Sequence, residues 1–194
     1  MNVAYLTHPD CALHDMGPGH VEQPDRIRVI HKALEEKGLL QRMKSLEPRL
    51  VSREDLLRVH PESYIQSLER SQPMSGHYQQ IDTDTTMNSH TWRAALLAAG
   101  ASIMAVDEVM AGRSQRAFCN VRPPGHHAER DRAMGFCFLN NVAVAAAHAI
   151  HQHGLKKVAI VDFDVHHGNG TENIFHDEPR VMLCSTFQSP LYPF

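Results

Sequence analysis

The chain of 194 residues is 42% hydrophobic and 21% charged, with a formal net charge of −3 and no long run of either sign. That composition describes one soluble globular domain with enough residues for a real core. A partner held through its phosphates requires a basic stripe, and none is present, so no nucleic-acid partner is expected. The longest apolar stretches, residues 94–101 and 142–147, are too short to span a bilayer, so no membrane partner is expected either.

In chain order, residues 3–6 read as a short strand, followed by the loop Met16-Gly17-Pro18-Gly19-His20. A helix is expected from Pro24 to Lys37, with Ile27, Ile30 and Leu34 on one face and Gly38 as its stop. Ser52-x-x-Asp55 has the form of a capping box opening a short helix, and a further helix runs through 64–68. Residues 72–88 are polar and read as loop. An alanine-rich helix, packed on both sides, follows over 89–110. From there the pattern alternates: a strand at 116–121, a helix at 140–153, a strand of fully buried type at 158–161, a short helix at 172–175 and a strand at 181–185. Buried strands alternating with helices predict an α/β fold, an open parallel sheet flanked by helices. Ligands bind such sheets at the carboxyl ends of the strands, which points to the residues after Val121, Val161 and Cys184.

Four cysteines, Cys11, Cys119, Cys137 and Cys184, lie far apart with no C-x-x-C pair, which excludes a zinc ribbon and suggests reduced thiols. The N-terminus carries no basic region followed by an apolar one, so no secretory signal is read and a cytoplasmic location is expected. Asn169-Gly170-Thr171 matches a glycosylation sequon, a coincidence without secretion.

The 15 histidines are scattered, and several sit beside Gly and Asp. After Val161 the chain reads Asp162-Phe163-Asp164-Val165-His166-His167-Gly168-Asn169-Gly170. Residues two apart on extended chain share a face, so Asp164 and His166 can point at one ion. Mixed oxygen and nitrogen ligation suits zinc, and a catalytic site keeps one position open. The alternative is a strand end whose Asp and His only form turns and caps, but four crowded titratable groups need partners if buried. After Val121 comes Arg122-Pro123-Pro124-Gly125-His126-His127-Ala128-Glu129. Its paired histidines can move protons at a metal-activated water, although a loop histidine by itself is more often merely solvated. Gly135-Phe136-Cys137-Phe138-Leu139-Asn140-Asn141 offers walls for a narrow channel, but spacing alone favours ordinary core packing there.

These three segments, in this order and spacing, resemble the histone deacetylase family, in particular its class II-like and bacterial amidohydrolase members. Residues 16–20 with Pro24 and Arg26 resemble the family's opening motif. The resemblance implies the open α/β fold shared with arginase and a zinc-dependent hydrolase that removes acetyl groups from acetyl-lysine or related amines. It implies Asp164 and His166 as zinc ligands, His127 as the general base, and His126 as a second histidine held by Asp162. Asp162 and Ser185 would also hold a structural monovalent cation, K+. Gly135 and Phe136 would line the acyl-amine tunnel, Arg26 would stand near its foot, and Asp84 would grip substrate backbone. An arginase-like pair of manganese ions would need Asp-x-His-x-Asp, but Gly168 stands two residues beyond His166, so one metal is expected.

The implied partner is an acetylated peptide or a small acetylated amine, with acetylpolyamine hydrolysis or a non-catalytic deacetylase-fold module as the alternatives. Family members continue past Phe194, and the resemblance places their third zinc ligand, an aspartate, and their carbonyl-polarising tyrosine beyond it. Tyr192 belongs to the local motif and is not expected to replace that tyrosine. Residues 1–194 are therefore expected to form a single deacetylase-type domain, incomplete at the C-terminus. Alone, they would have weak zinc binding and negligible turnover. They would also expose a bare apolar face after 181–185, which a partner or a homo-oligomer covers.

Overall fold

The computed structural model describes residues 2–193; Met1 and Phe194, which the readings of the two ends included, lie outside them. Strand β1 (Val3–Leu6) is hydrophobic at every position, with Ala4, Tyr5 and Leu6 buried, and it occupies the centre of a parallel ladder. Val3 pairs with Met43 of β2 (Met43–Leu46) on one side and with Arg116 of β5 (Arg116–Cys119) on the other. A second parallel ladder joins β6 (Val158–Asp162) to β7 (Val181–Ser185), in register from Val158 with Val181 to Asp162 with Ser185. Parallel strands need crossover connections, and helices supply them.

Helix α1 (Asp25–Glu36) begins at Pro24, and Gly38 follows its end in a left-handed conformation. Ser52 caps α2 (Arg53–Leu57) by accepting from the Asp55 amide, as the capping box predicts. Helix α3 (Glu62–Arg70) buries Tyr64, Ile65 and Leu68, and α4 (Thr91–Met110) forms the core wall with its alanines. The segment before α2 is laid so closely on α4 that a Cβ at Gly100 would come within 1.9 Å of the Arg49 carbonyl oxygen. Helix α5 (Asn141–His151) packs against α4, and Asn140 caps it by accepting from the Ala143 amide. The short α6 (Asn169–Phe175) follows β6.

The structure departs from the sequence expectations in four places. Residues 72–88 are not all loop, because β3 (Gln79–Asp82) and β4 (Thr85–Met87) form an antiparallel hairpin. Its alternation is masked by polar residues, yet Thr85 and Met87 are fully buried. Strand β2 was not anticipated, since its Met-Lys-Ser-Leu sequence has two polar members in four. Ile30 lies exposed on α1, whose packed face narrows to Ile27 and part of Leu34.

The fourth departure concerns the run 158–161. Its side chains alternate: Ile160 is buried, whereas Val161 is 69% exposed. Met182 on β7 and Phe163 beyond β6 are also exposed. One face of this ladder is bare among the described residues, and β5 and β6 belong to separate ladders there rather than to one continuous sheet. The run is apolar enough for burial on both faces, but only one of them meets packed neighbours.

Candidate active site

The histidine loop starts from a buried ion pair. Arg122 and Glu22 are both about nine-tenths or more buried and meet through two guanidinium-carboxylate hydrogen bonds. The same guanidinium donates to the Cys11 and His14 carbonyls at 3.1 and 2.8 Å. Burial alone would push the Glu22 carboxyl up, but His14, whose Nε2 lies 3.4 Å away, and the Arg122 hydrogen bonds outweigh it and hold the group at about 2. Asn141 donates to the Pro123 carbonyl at 3.1 Å, and a Cβ at Gly125 would strike the Asn141 amide. The loop is therefore fixed to the N-terminal segment and to the start of α5 before it presents His126 and His127.

The two rings lie 3.9 Å apart, centroid to centroid. His126 Nδ1 donates to Asp162 Oδ2 at 2.9 Å, the partner expected from the sequence. His127 Nδ1 meets Asn169 Oδ1 at 2.8 Å. The Asn169 amide donates from Nδ2 to Glu129 Oε1 at 2.9 Å, so its oxygen must face the ring. His127 Nδ1 then carries the proton, and its Nε2 is left with a bare lone pair. Burial, helped by the charge of the neighbouring His126, lowers the His127 pKa to about 4 against the opposing Asn169 bond. His127 is thus neutral near pH 7.

At the end of β6 the backbone turns through hydrogen bonds from the Asp164 amide to Asp162 Oδ1 (3.1 Å) and from the His166 amide to Asp164 Oδ1 (2.8 Å). The two side chains then converge, with His166 Nδ1 3.2 Å from Asp164 Oδ1, and both are about half exposed. Burial opposes ionisation of Asp164, but the His166 amide bond and the His126 and His166 charges outweigh it and lower its pKa. Gly168 is required because a Cβ would come within 2.3 Å of Asp162 Oδ2. His167 turns away, pairing with Glu172 at 2.7 Å.

Asp84, at the tip of the β3–β4 hairpin, accepts from the Gly135 amide at 3.1 Å and from the Thr85 hydroxyl at 2.7 Å. The Phe136 amide donates to Thr85 Oγ1 at 3.0 Å. Gly135 and Phe136 both take positive φ, 57° and 69°, and a Cβ at Gly135 would sit 2.5 Å from the His127 ring. His20 packs edge-on against Phe136 at 4.8 Å. Asp84, Gly135 and Phe136 line a cavity of about 700 Å³ together with Arg26, His126, His127, Asp164 and His166.

The cavity also receives Tyr192, which the sequence reading did not place there. Its ring is edge-on to His127 at 4.8 Å and to His166 at 6.2 Å. Burial first, then the Asp84 carboxylate, push the phenol well above its ordinary range, so it stays protonated. Sequence reasoning also passed over Asn169, Glu129 and Glu22. Asn169 was visible inside the Asp-His motif, whereas nothing local marks Glu22, which lies a hundred residues from its partner.

Asp162 and Ser185 face each other across the β6–β7 register, and Ser185 Oγ is buried without a hydrogen-bond partner among the described residues. Asp164 and His166 converge as a pair, and no third His, Cys, Asp or Glu among the described residues joins them as a ligand group.

Comparison with known proteins matches this frame. Residues 20–194 match the model of the histone deacetylase domain. A probable deacetylase of Archaeoglobus fulgidus is 40% identical over 195 residues, covering 100% of this chain and 53% of that protein. The human polyamine deacetylase HDAC10 is 39% identical over 197 residues, covering 95% of this chain and 29% of that protein. The crystal structure of the HDA15 HD domain superposes with a TM-score of 0.93 at 36% identity, over 99% of this chain and 55% of that one. The chain therefore spans about half the length, or less, of the relatives it matches. With its parallel strands, flanking helices and histidine loop all matched, the chain belongs to the histone deacetylase domain family.

Proposed function

We propose that this chain carries the catalytic histidines and two metal ligands of a zinc-dependent amidohydrolase that removes acetyl groups from acetylated amines. The observation that carries this reading is the arrangement of His126 and His127. Each has its Nδ1 engaged, by Asp162 and Asn169, and both rings border the cavity where Asp164 and His166 converge. The residues fit a zinc ion: a carboxylate oxygen and an imidazole nitrogen 3.2 Å apart match the edge of a tetrahedral site with bonds of about 2.0–2.1 Å. Zinc bound there supplies Lewis acidity for activating water and polarising an acetyl carbonyl.

His127, neutral and with Nε2 bare, accepts the proton of the attacking water. His126 is held in one tautomer by Asp162 and stands where a proton can pass to the leaving amine. Tyr192, protonated and beside His127 and His166, closes the wall. Gly135 and Phe136 shape the acyl-amine channel, and Asp84, which fixes the Gly135 amide, stands where it can hold substrate backbone. The unpartnered Ser185 hydroxyl beside Asp162 supports a monovalent cation, K+, at the foot of β6. The third zinc ligand and the oxyanion donor are assigned to chain beyond Phe194, in one deacetylase domain. The bare face of β6 and β7 supports that assignment.

Metal content and turnover of the full-length protein test the division of labour. Asp164→Ala or His166→Ala should remove most zinc, whereas His127→Ala should keep zinc and abolish turnover. Full zinc occupancy in Asp164→Ala protein overturns the ligand assignment. Turnover by the wild type also excludes a non-catalytic module. Parallel kinetics on acetyl-lysine peptides and acetylated polyamines choose the substrate, and the small net charge favours small or flexible acetylated amines over an extended charged surface.

A further inference from the structure

A second cluster of metal-binding side chains lies away from the active-site cavity, between α4 and α5. Asp107 of α4, His148 in the last turn of α5 and His153 just after it each offer one ligand atom, all within 4.8 Å of one another. His148 Nε2 and His153 Nε2 both lie 2.8 Å from the same oxygen, Asp107 Oδ1. It is the only such group of three among the described residues.

His148 stands between two carboxylates. Its Nδ1 lies 3.2 Å from Asp55 Oδ1, which also accepts from Arg58. An ionised carboxylate only accepts, so His148 Nδ1 carries a proton. Its Nε2 faces a second carboxylate oxygen at 2.8 Å, inside a buried side chain, so either a second proton or a metal ion stands between them. A metal ion there would hold Nε2, His153 and the Asp107 carboxylate together. Asp55 then stands as the outer carboxylate that commonly fixes the tautomer of a metal-bound histidine.

We propose that Asp107, His148 and His153 form a structural site for a divalent transition-metal ion, zinc being the best fit. Two imidazoles and one carboxylate match zinc, cobalt and nickel and disfavour calcium and magnesium, which take oxygen ligands. Tetrahedral bonds of about 2.0–2.1 Å put ligand atoms roughly 3.3 Å apart, so each Asp107–histidine pair opens by about half an ångström, while the two imidazole nitrogens, already within 4.8 Å, settle to the same spacing. Asp107 and His153 are each about one-quarter exposed, which leaves a fourth position for water. The ion would clip the end of α5 to α4. Asn141, at the other end of α5, holds the histidine loop through Pro123.

The test uses protein stripped with a chelator and then titrated with zinc or cobalt, read by calorimetry, by cobalt absorption in the visible and by thermal unfolding. His166→Ala removes the active-site ligand and should leave one ion per chain, with a raised Tm on zinc addition. Adding His153→Ala should weaken that binding by at least about ten-fold and abolish the Tm rise, and His153→Gln and Asp107→Asn should do the same. His153 is half-buried and lies after the helix, and unchanged Tm values in chelator verify that these variants fold. If His166→Ala protein takes up no metal, the cation is an added proton and the proposal fails. Metal binding that survives His153→Ala, His153→Gln and Asp107→Asn also overturns it. If the active-site assignment alone is wrong, wild-type protein binds one ion that is lost with His153 but kept with His166→Ala.

Discussion

Glu22→Gln keeps the shape of the side chain but removes the charge that faces Arg122. Arg122 is 3% exposed, so the variant leaves a buried guanidinium with two backbone carbonyls and no counter-charge. Losing one member of a buried pair typically costs roughly 3–5 kcal/mol. An independent figure comes from linkage. Glu22 falls from its ordinary 4.5 to about 2 on folding, a difference of roughly 3 kcal/mol at about 1.4 kcal/mol per pH unit. The folded state prefers the ionised form, so this stabilisation is full above about pH 4.5 and drains as pH falls toward about 2. The gap between wild type and Glu22→Gln should therefore be roughly 3 kcal/mol at pH 7, about half of that near pH 3, and nearly closed by about pH 2. Urea unfolding followed by fluorescence of Trp92, the one tryptophan and a buried one, measures it. A gap under about 1 kcal/mol at pH 7, or one unchanged down to pH 3, would refute the view that this ion pair holds the histidine loop.

Gly135→Ala puts a methyl 2.5 Å from the His127 ring at a φ of 57°. It should lower turnover of the full-length enzyme at least about ten-fold and destabilise the fold by roughly 1–3 kcal/mol; near-normal kinetics would count against the packing described. Asn169→Ala removes the acceptor that fixes the His127 tautomer. It should lower kcat by roughly 10- to 100-fold with KM little changed, and an effect confined to KM would point instead to substrate binding. Buried His60 donates to the Arg130 carbonyl and accepts from the Asn140 amide, and burial lowers its pKa from 6.5 to about 4. Folding favours its neutral form, so its contribution is full above about pH 6.5 and falls by roughly 3 kcal/mol by about pH 4. His60→Gln should flatten that part of the pH-stability curve, and an identical slope in the variant would rule the assignment out.

The legible parts of this molecule are those whose cause is local in sequence. Ser52 and Asp55 announce a cap because both ends of the hydrogen bonds lie within one turn, and the structure places them so. Asp164 and His166 could be paired because residues two apart on extended chain share a face, although the structure brings them together through a turn beyond β6. The bond from His126 to Asp162 followed from the family motif. What stayed hidden depends on distant partners. The β3–β4 hairpin looked like loop, because the burial of Thr85 and Met87 comes from the core they enter and not from their own polar neighbourhood. Glu22 gives no sign of its role until Arg122 is folded against it.

The apolar run 158–161 shows the limit of pattern reading from the other side. Its composition predicted burial on both faces, and in the described residues only the Ile160 face is covered. Hydrophobicity reports what a strand can bury, whereas exposure reports what is there to bury it. Val161, Phe163 and Met182 line up on one bare surface at the ladder that also carries Asp162, Asp164 and Ser185. The same ladder thus presents Asp162 and Ser185 at its carboxyl end and an unsatisfied apolar face along its length. Whatever covers that face will sit next to the Asp164–His166 pair. On the proposed zinc reading, the third ligand, which the pair lacks among the described residues, is therefore expected on the segment that covers β6 and β7.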